Sequence, residues 1–435
     1  MRTILLVFLL AVLPVRSQSF DFDKGKSKTS IRFKLINNLI FIPVIVNNVP
    51  LTFLLDTGVD DTILFSLDDN QELQLNNIEK VKLRGLGNAG SVDGLRSTEN
   101  VVSIGKLHNK SHELYIVLNQ EFNFSSHIGI VVNGIIGYQL FKDLVVNINY
   151  DSQKITFYED ANQIRGIRKN NFTSIPISIE NNKPYVNGSV YQLKETDVKL
   201  LIDTGNSDAV WIFNKPEIVV PDIYVNDYLG RGFSGDIFGK RGRISDFTLS
   251  KFAFKDPITA FPDSVSIRSI KMVSNRAGSV GGEILKRFNV VFDYRNQSMF
   301  LEPSKHFNDE FTYNMSGMEV HHSGVQWVQE KVPLQTKITS ASYDGLGDVI
   351  RKDFKYKFEL KPVYAIAGIR ENSPAALCGL LADDIILKFN GNPAHKYTLQ
   401  EINSMLKSQE GKKIELLIDR KGKLMEVIFY LKKML

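Results

Sequence analysis

The chain has 435 residues, of which 43% are hydrophobic and 23% charged; this ordinary globular composition excludes collagen-like, low-complexity and wholly disordered chains, and the length suits about two to four domains. The formal net charge of +5 is too small an excess over this length to indicate a nucleic-acid-binding protein. The single cysteine, Cys378, excludes an intramolecular disulfide and a cysteine-built zinc site, and the histidines lack the His-Glu-x-x-His spacing of a zinc hydrolase.

The amino-terminal segment has the three zones of a secretory signal. Arg2 provides a positive start, Ile4–Leu13 is an unbroken apolar run, and Val15-Arg16-Ser17 offers a peptidase site. The run is shorter than the roughly 20 residues that span a bilayer, so we predict a cleaved signal peptide at 1–17 and no stable membrane span. Export of a chain without disulfides favours a bacterial envelope or the medium, and hence a periplasmic or extracellular location.

An internal repeat organises the middle of the chain. The segment from Gly134 to Lys142 aligns without gaps with the segment from Gly278 to Lys286, 144 residues later. Upstream, Leu54-Leu55-Asp56-Thr57-Gly58 matches Leu201-Ile202-Asp203-Thr204-Gly205, 147 residues later. We therefore expect two copies of one structural unit.

Each copy has the pattern of β structure. Phe41–Val46 and Leu51–Leu55 are apolar runs on either side of Asn47-Asn48, and asparagine tolerates the positive φ of a tight hairpin turn. Helical periodicity is scarce, and short helices are expected at 139–142 and 283–287. The prediction for the middle of the chain is mainly antiparallel β structure in two related lobes.

The two Asp-Thr-Gly sequences are the strongest chemical signal. A single copy is explained equally well by a plain turn. Here Asp56 lies 81 residues before Gly137, and Asp203 lies 78 residues before Gly281, each glycine following an apolar residue. Two carboxyl groups brought together by a pseudo-twofold axis cannot both ionise readily and share a proton. The charged member can activate a water while the neutral member protonates a carbonyl oxygen, which is general acid–base amide hydrolysis.

These residues resemble the active-site segments of the aspartic peptidases. The segment from Leu54 to Thr62 looks like the retropepsin strand and loop, and the segment from Leu201 to Ile212 is closer to pepsin-type copies. Ile135-Ile136-Gly137 and Val280-Gly281 are similar to the hydrophobic-glycine segments behind each catalytic loop of that family. The resemblance covers about residues 35–303.

The resemblance implies a mainly β, bilobal fold with closed β-barrel lobes and a cleft between them. It implies an endopeptidase that needs no metal or cofactor, acts on a protein or peptide substrate, and requires no dimer, because both halves of the site lie in one chain. Carried over by motif, the catalytic pair is Asp56 and Asp203. The supporting residues would be Thr57, Gly58, Thr204 and Gly205. Val59 and Asn206 depart from the small Ala, Ser or Thr usual after the glycine.

Substrate access in this family involves a flap hairpin, and two glycine-rich segments lie where it is expected. The candidate flap glycines are Gly85, Gly87, Gly90, Gly230, Gly232 and Gly235. A surface loop is the alternative interpretation. The first segment formally matches Gly-x-Gly-x-x-Gly, but no βαβ context supports phosphate binding.

The pattern changes after Pro303. Val363–Ile369 is predicted as a strand, Ser373 as the cap of a short helix that ends at Gly379, and 398–407 as an amphipathic helix. Cys378 is expected on the apolar side of the short helix, buried by packing.

This region resembles a bacterial-type PDZ domain, an α+β fold that binds chain termini or extended peptides at a sheet edge. Ser373-Pro374-Ala375-Ala376 and the segment from Asp384 to Gly391 carry the resemblance. Its peptide-binding loop is predicted at Ser316, Gly317 and Met318, with Tyr356–Glu359 as the alternative.

The sequence thus favours an exported aspartic endopeptidase with a PDZ domain that binds substrate or partner peptides. The rival hypothesis is a catalytically silent peptide-binding envelope scaffold. The predicted boundaries are a signal peptide at 1–17, lobe 1 at 18–162, lobe 2 at 163–305, and a linker with the PDZ domain at 306–435.

Overall fold

The computed structural model describes residues 19–65, 72–84, 91–117, 125–213, 217–232, 235–267, 272–333 and 354–435. The predicted signal peptide and three of the flap candidates, Gly85, Gly87 and Gly90, lie outside these ranges. The chain forms two compact units, the first drawn from 1–123, 132–223 and 227–311, the second from 124–131, 224–226 and 312–435.

The amino-terminal repeat consists of strands joined by tight turns and short helices. Its elements are β1 (Asp21–Phe22), β2 (Lys28–Arg32), β3 (Lys34–Ile36), β4 (Leu39–Val46), β5 (Val49–Leu55), β6 (Thr62–Leu64), β7 (Glu79–Arg84), β8 (Ser91–Ile104), β9 (Leu107–Val117), α1 (Ser125–Ile128), β10 (Gly134–Ile136), α2 (Tyr138–Phe141), β11 (Val145–Asn149), β12 (Lys154–Tyr158), a 3₁₀ helix (Ala161–Gln163) and α3 (Arg165–Arg168). Asn47 and Asn48 have φ values of 44° and 70° and close the β4–β5 hairpin, as their residue type predicts.

The second repeat has the same order of strands. Its elements are β13 (Thr173–Pro176), β14 (Ser178–Glu180), β15 (Lys183–Tyr191), β16 (Glu195–Ile202), β17 (Val210–Ile212), β18 (Tyr224–Gly232), β19 (Gly235–Arg243), β20 (Asp246–Leu249), β21 (Phe252–Lys255), β22 (Ile258–Pro262), α4 (Ser264–Ile267), β23 (Arg276–Val280), α5 (Gly282–Leu285), β24 (Phe288–Asp293) and β25 (Ser298–Pro303). The helices α2 and α5 each begin one residue before the predicted position.

Each repeat builds its own sheet, and both contribute to a third. The first sheet has the order β1-β9-β6-β10-β5-β4-β8-β7, and the second has the order β18-β19-β22-β17-β23-β16-β15-β20-β21. In the third sheet, β13-β25-β24-β11-β12-β2, the strands β11 and β24 of the two repeats are antiparallel neighbours, with Ile148 opposite Val290. This pairing relates the repeats by a pseudo-twofold axis and explains the 144-residue offset seen in the sequence.

The second unit is an α+β fold around one sheet. Its elements after Phe311 are β26 (Met318–Pro333), β27 (Phe354–Ile369), α6 (Pro374–Leu377), β28 (Ile385–Phe389), β29 (Asn392–Pro393), a 3₁₀ helix (Ala394–Lys396), α7 (Leu399–Leu406), β30 (Lys413–Arg420) and β31 (Lys423–Tyr430). The sheet order is β26-β27-β28-β30-β31, with β29 beside β28. Ser373 caps α6 through the N–H of Ala376, and Thr398 and Glu401 form a capping box on α7.

Two sequence-based expectations for this unit need correction. Tyr356–Glu359 is not a loop but lies inside β27, paired with β26, whereas Ser316 and Gly317 form the turn that precedes β26. Cys378 is exposed rather than buried. The helix α6 is only four residues long, and Gly379, with φ of 75°, reverses the chain so that Leu380 fills the core in place of Cys378.

The described residues thus form the predicted mainly β fold followed by an α+β unit. The closed barrels and the exact domain boundaries stay predictions. No helix among the described residues combines the length and hydrophobicity needed to cross a membrane.

Candidate active site

Two aspartates stand at equivalent positions in the two repeats. Asp56 directly follows β5, and Asp203 directly follows β16. Each backbone N–H donates to a neighbouring parallel strand, that of Asp56 to the carbonyl of Ile136 and that of Asp203 to the carbonyl of Val280, both at 2.9 Å. These backbone hydrogen bonds at the strand ends therefore fix the main-chain position from which each aspartate side chain extends.

The glycines that follow bring the two carboxyl groups face to face. The N–H of Gly58 donates to Asp56 Oδ1 at 2.7 Å, and the N–H of Gly205 donates to Asp203 Oδ1 at 3.1 Å. A Cβ atom on Gly205 would lie 2.3 Å from Asp56 Oδ2, and one on Gly58 would lie 3.2 Å from Asp203 Oδ1. Each glycine therefore packs against the carboxyl group of the other repeat. At Gly205 only the absence of a side chain permits this approach, whereas at Gly58 a Cβ atom would make a tight contact.

Two buried threonines join the repeats beneath the carboxyl groups. Thr57 Oγ1 donates to the carbonyl of Ile202 at 2.6 Å and accepts from the N–H of Thr204 at 3.0 Å. Thr204 Oγ1 donates to the carbonyl of Leu55 at 2.8 Å and accepts from the N–H of Thr57 at 3.0 Å. Because both side chains are 1% exposed, water cannot replace these bonds, and the four together hold the spacing of the pair.

Burial raises the pKa of both carboxyl groups, and each group influences the ionisation of the other. Burial, and after it the negative charge of Asp203, raises the pKa of Asp56 to about 8. Burial also raises the pKa of Asp203, but Arg276 and the N–H of Gly205 oppose this rise, as does a hydrogen bond from the Asp56 side chain. The hydrogen bond between the two side chains contributes to the raised pKa of Asp56 and opposes the rise at Asp203, so it favours a proton on Asp56, while the titration steps belong to the pair.

The hydrophobic-glycine segments lie directly behind the two aspartate loops. A Cβ atom on Gly137 would lie 2.3 Å from the carbonyl oxygen of Asp56, and one on Gly281 would lie 2.4 Å from the carbonyl oxygen of Asp208. These contacts are with backbone atoms, which cannot move aside. Packing against the aspartate loop therefore requires a glycine at both positions, which explains why each Asp-Thr-Gly sequence is followed by such a glycine later in its repeat.

The departures after each glycine also have structural consequences. Val59 has no polar side-chain atom, and Asn206 donates to Ser279 Oγ at 3.1 Å and accepts from the N–H of Asp208 at 2.9 Å. Asn206 thus supports its own loop, and Val59 supplies no hydroxyl to the pair. This leaves burial as the largest influence on both pKa values.

Two cations near the pair were missed from the sequence. Lys183 Nζ lies 3.4 Å from Asp60 Oδ1, and its charge lowers the pKa of Asp56 and of Asp203. Arg276 is the largest influence opposing the raised pKa of Asp203. Its guanidinium lies over the ring of Phe213, 5.0 Å from the centroid. The signal that could have revealed Lys183 is a break in the repeat, since it follows the turn Asn181-Asn182 where Leu39 follows Asn37-Asn38.

The remaining candidate residues lie apart from this cluster. Gly230 and Gly235 have φ values of 143° and 118° and, with Gly232 at the end of β18, mark the tip of the β18–β19 hairpin. Ser316, Gly317 and Met318 belong to the second unit, where Ser316 and Met318 are fully buried. Their roles as flap and peptide-binding residues stay predictions.

Comparisons with known proteins find family matches in two parts of the chain. A family model described as aspartyl protease matches residues 42–140, and one described as PDZ domain matches residues 366–420. Among solved structures, the chain is similar to the aspartic proteinase from Irpex lacteus, at 14% identity and a TM-score of 0.41, over 66% of this chain and 100% of that chain. Residues 42–140 are therefore similar to an aspartyl-protease domain, and residues 366–420 are similar to a PDZ domain.

Proposed function

We propose that this chain is an exported aspartic endopeptidase that hydrolyses peptide bonds through Asp56 and Asp203. The observation that carries the proposal is the pair itself, in which two half-buried carboxyl groups from two repeats lie together and both have a raised pKa. An inert scaffold has no need of such a pair, because two carboxyl groups withdrawn from water and close to each other weaken the fold.

The chemistry follows from the assignment of the proton. The Asp203 carboxylate accepts a proton from a water held between the carboxyl groups, and the oxygen of that water bonds to the substrate carbonyl carbon. The Asp56 carboxyl group gives its proton to the carbonyl oxygen, which forms a neutral tetrahedral diol. The proton now on Asp203 passes to the leaving nitrogen, the C–N bond breaks, and a hydroxyl group of the diol returns a proton to Asp56, which restores the initial state of the pair.

The test is cleavage of a peptide library by residues 18–435 between pH 3 and pH 8. An Asp56→Asn variant and an inhibitor of aspartic peptidases run in parallel. We expect cleavage by the unmodified protein alone, with one set of preferred sites. Cleavage that survives in Asp56→Asn would assign the activity to another group, and no cleavage at any pH would favour the silent scaffold.

Lys183 sets the position of the pH profile in this proposal. Its positive charge lowers the pKa of both aspartates, so Lys183→Gln should raise both values. Activity requires one protonated and one ionised carboxyl group, and both limbs of the profile should move to higher pH, by about half a unit. Lys199→Gln is the matched control, because Lys199 pairs with Glu180 at 2.7 Å. Equal profiles for the two variants would contradict the assigned influence of Lys183.

A further inference from the structure

The second unit includes a short segment from an earlier part of the chain. Residues 125–131 belong to this unit, although the described residues before and after them, 91–117 and 132–213, belong to the first. Within the segment, α1 is followed by Gly129, whose N–H donates to the carbonyl of Ser125 at 2.8 Å and whose φ is 83°. The described part of the segment, 125–131, contains no aspartate, glutamate, lysine or arginine.

This segment lies against β26 and the first residue of α7. A Cβ atom on Gly129 would lie 3.1 Å from Leu399 Cβ and 3.4 Å from His322 Nε2. The ring of His127 stacks on that of His321 with centroids 5.7 Å apart, and His127 Nδ1 lies 3.7 Å from Glu319 Oε1. Because β26 is the terminal strand of its sheet, the segment occupies the edge where an external peptide would otherwise add.

The turn before β26 is poorly suited to a free chain terminus. Capture of a carboxylate requires backbone N–H groups that point at the ligand. Here the N–H groups of Ser316 and Gly317 donate to Asn314 Oδ1 at 3.0 and 3.3 Å, and that of Met318 donates to Ser316 Oγ at 3.1 Å. The carboxylate of Glu319 at the start of the strand would also repel a second negative charge.

We propose that the groove between β26 and α7 holds an internal turn of this same chain, residues 125–131, and recognises it in preference to a free carboxyl terminus. An external peptide must displace this turn. Its apparent affinity is therefore the intrinsic affinity multiplied by the fraction of molecules in which the groove is free. The inference does not depend on peptidase activity.

The first test compares two glycine substitutions in the protein of residues 18–435. Gly129→Ala places a methyl group against Leu399 at a positive φ, whereas Gly391→Ala has a φ of 80° and nothing within 4 Å. We expect hydrogen exchange at 318–323 to speed up about tenfold or more in Gly129→Ala and to stay unchanged in Gly391→Ala. Equal protection of 318–323 in both variants would overturn the proposal. His127→Ala, which removes the stacked ring without backbone strain, should shift exchange in the same direction by a smaller factor.

The second test uses a labelled synthetic peptide of residues 122–132, with both ends blocked or with a free carboxylate. The blocked peptide should bind Gly129→Ala about tenfold more tightly than it binds the unmodified protein or Gly391→Ala. The free carboxylate should add no affinity. Binding of the free-carboxylate form alone would show recognition of termini and would overturn the proposal, as would failure of the blocked peptide to bind any variant.

Discussion

Replacing Asp203 with asparagine is expected to lower the rate of peptide cleavage by about 10³-fold or more. The variant keeps the size of the side chain and its hydrogen bond from the N–H of Gly205, but it loses the negative charge that accepts the proton of the attacking water. Asp56→Asn should be equally inactive for the opposite reason, since it loses the proton donated to the carbonyl oxygen. The measurement is kcat/KM on a peptide found in the library screen.

The effect of Asp56→Asn on the free energy of unfolding distinguishes a catalytic pair from a structural one. An acid whose pKa rises on folding is protonated in the native state and ionised in the unfolded state between about pH 4 and pH 8. The unfolded chain then binds fewer protons, and the stability of the fold decreases as the pH rises through this interval. Asp56→Asn removes this cost, so its free energy of unfolding at pH 7 should equal or exceed that of the unmodified protein, by up to a few kcal/mol.

Asp384 provides the opposite control. Its burial favours the neutral acid, but hydrogen bonds from Arg420 and from the N–H of Leu381 outweigh burial and lower its pKa. Asp384→Asn should therefore destabilise the second unit, most strongly at neutral pH, where the carboxylate is fully charged. If Asp56→Asn instead lowers stability and folded variants remain active, the pair is a structural feature, and the proposed mechanism fails.

The sequence predicted the site better than its surroundings, for a physical reason. The end of the strand, the aspartate, the threonine and the glycine of each copy lie within five consecutive residues. Their arrangement is therefore encoded locally, and the same local pattern occurs twice in the sequence. The influence of Lys183 and Arg276 arises only when distant strands fold beside the pair. A break in the repeat marks the position of Lys183, but no local pattern shows that either side chain reaches the pair.

The second unit shows the same limit. The cap of α6 was predicted because Ser373 acts on the N–H group of its own helix, whereas Thr398 was placed inside the predicted helix and caps α7 instead. The exposure of Cys378 was not predicted, since it depends on where a four-residue helix ends. The length of β27 depends on its partner β26, which lies on the other side of residues 334–353.

The paired threonines should matter more to this fold than the other buried hydroxyl groups of the described residues. Thr204→Val keeps the shape of the side chain but leaves the N–H of Thr57 and the carbonyl of Leu55 buried without partners. Each orphaned group costs about 1–3 kcal/mol, so we expect a loss of roughly 2–4 kcal/mol in the free energy of unfolding, measured by urea denaturation. Cleavage should decrease as well, because the same bonds set the spacing of the two carboxyl groups.

The double variant tests whether the two threonines act as one device. Thr57→Val and Thr204→Val break the same contact between the repeats, so the double variant should cost clearly less than the sum of the single losses. Thr259→Val is the matched control, because Thr259 is equally buried but donates only to the carbonyl of Pro257, two residues away, at 3.3 Å. It should cost about 1 kcal/mol and leave cleavage unchanged. Strict additivity of the paired substitutions, or an equal effect at Thr259, would mean that the hydroxyl groups stabilise each repeat separately and do not hold the carboxyl groups in register.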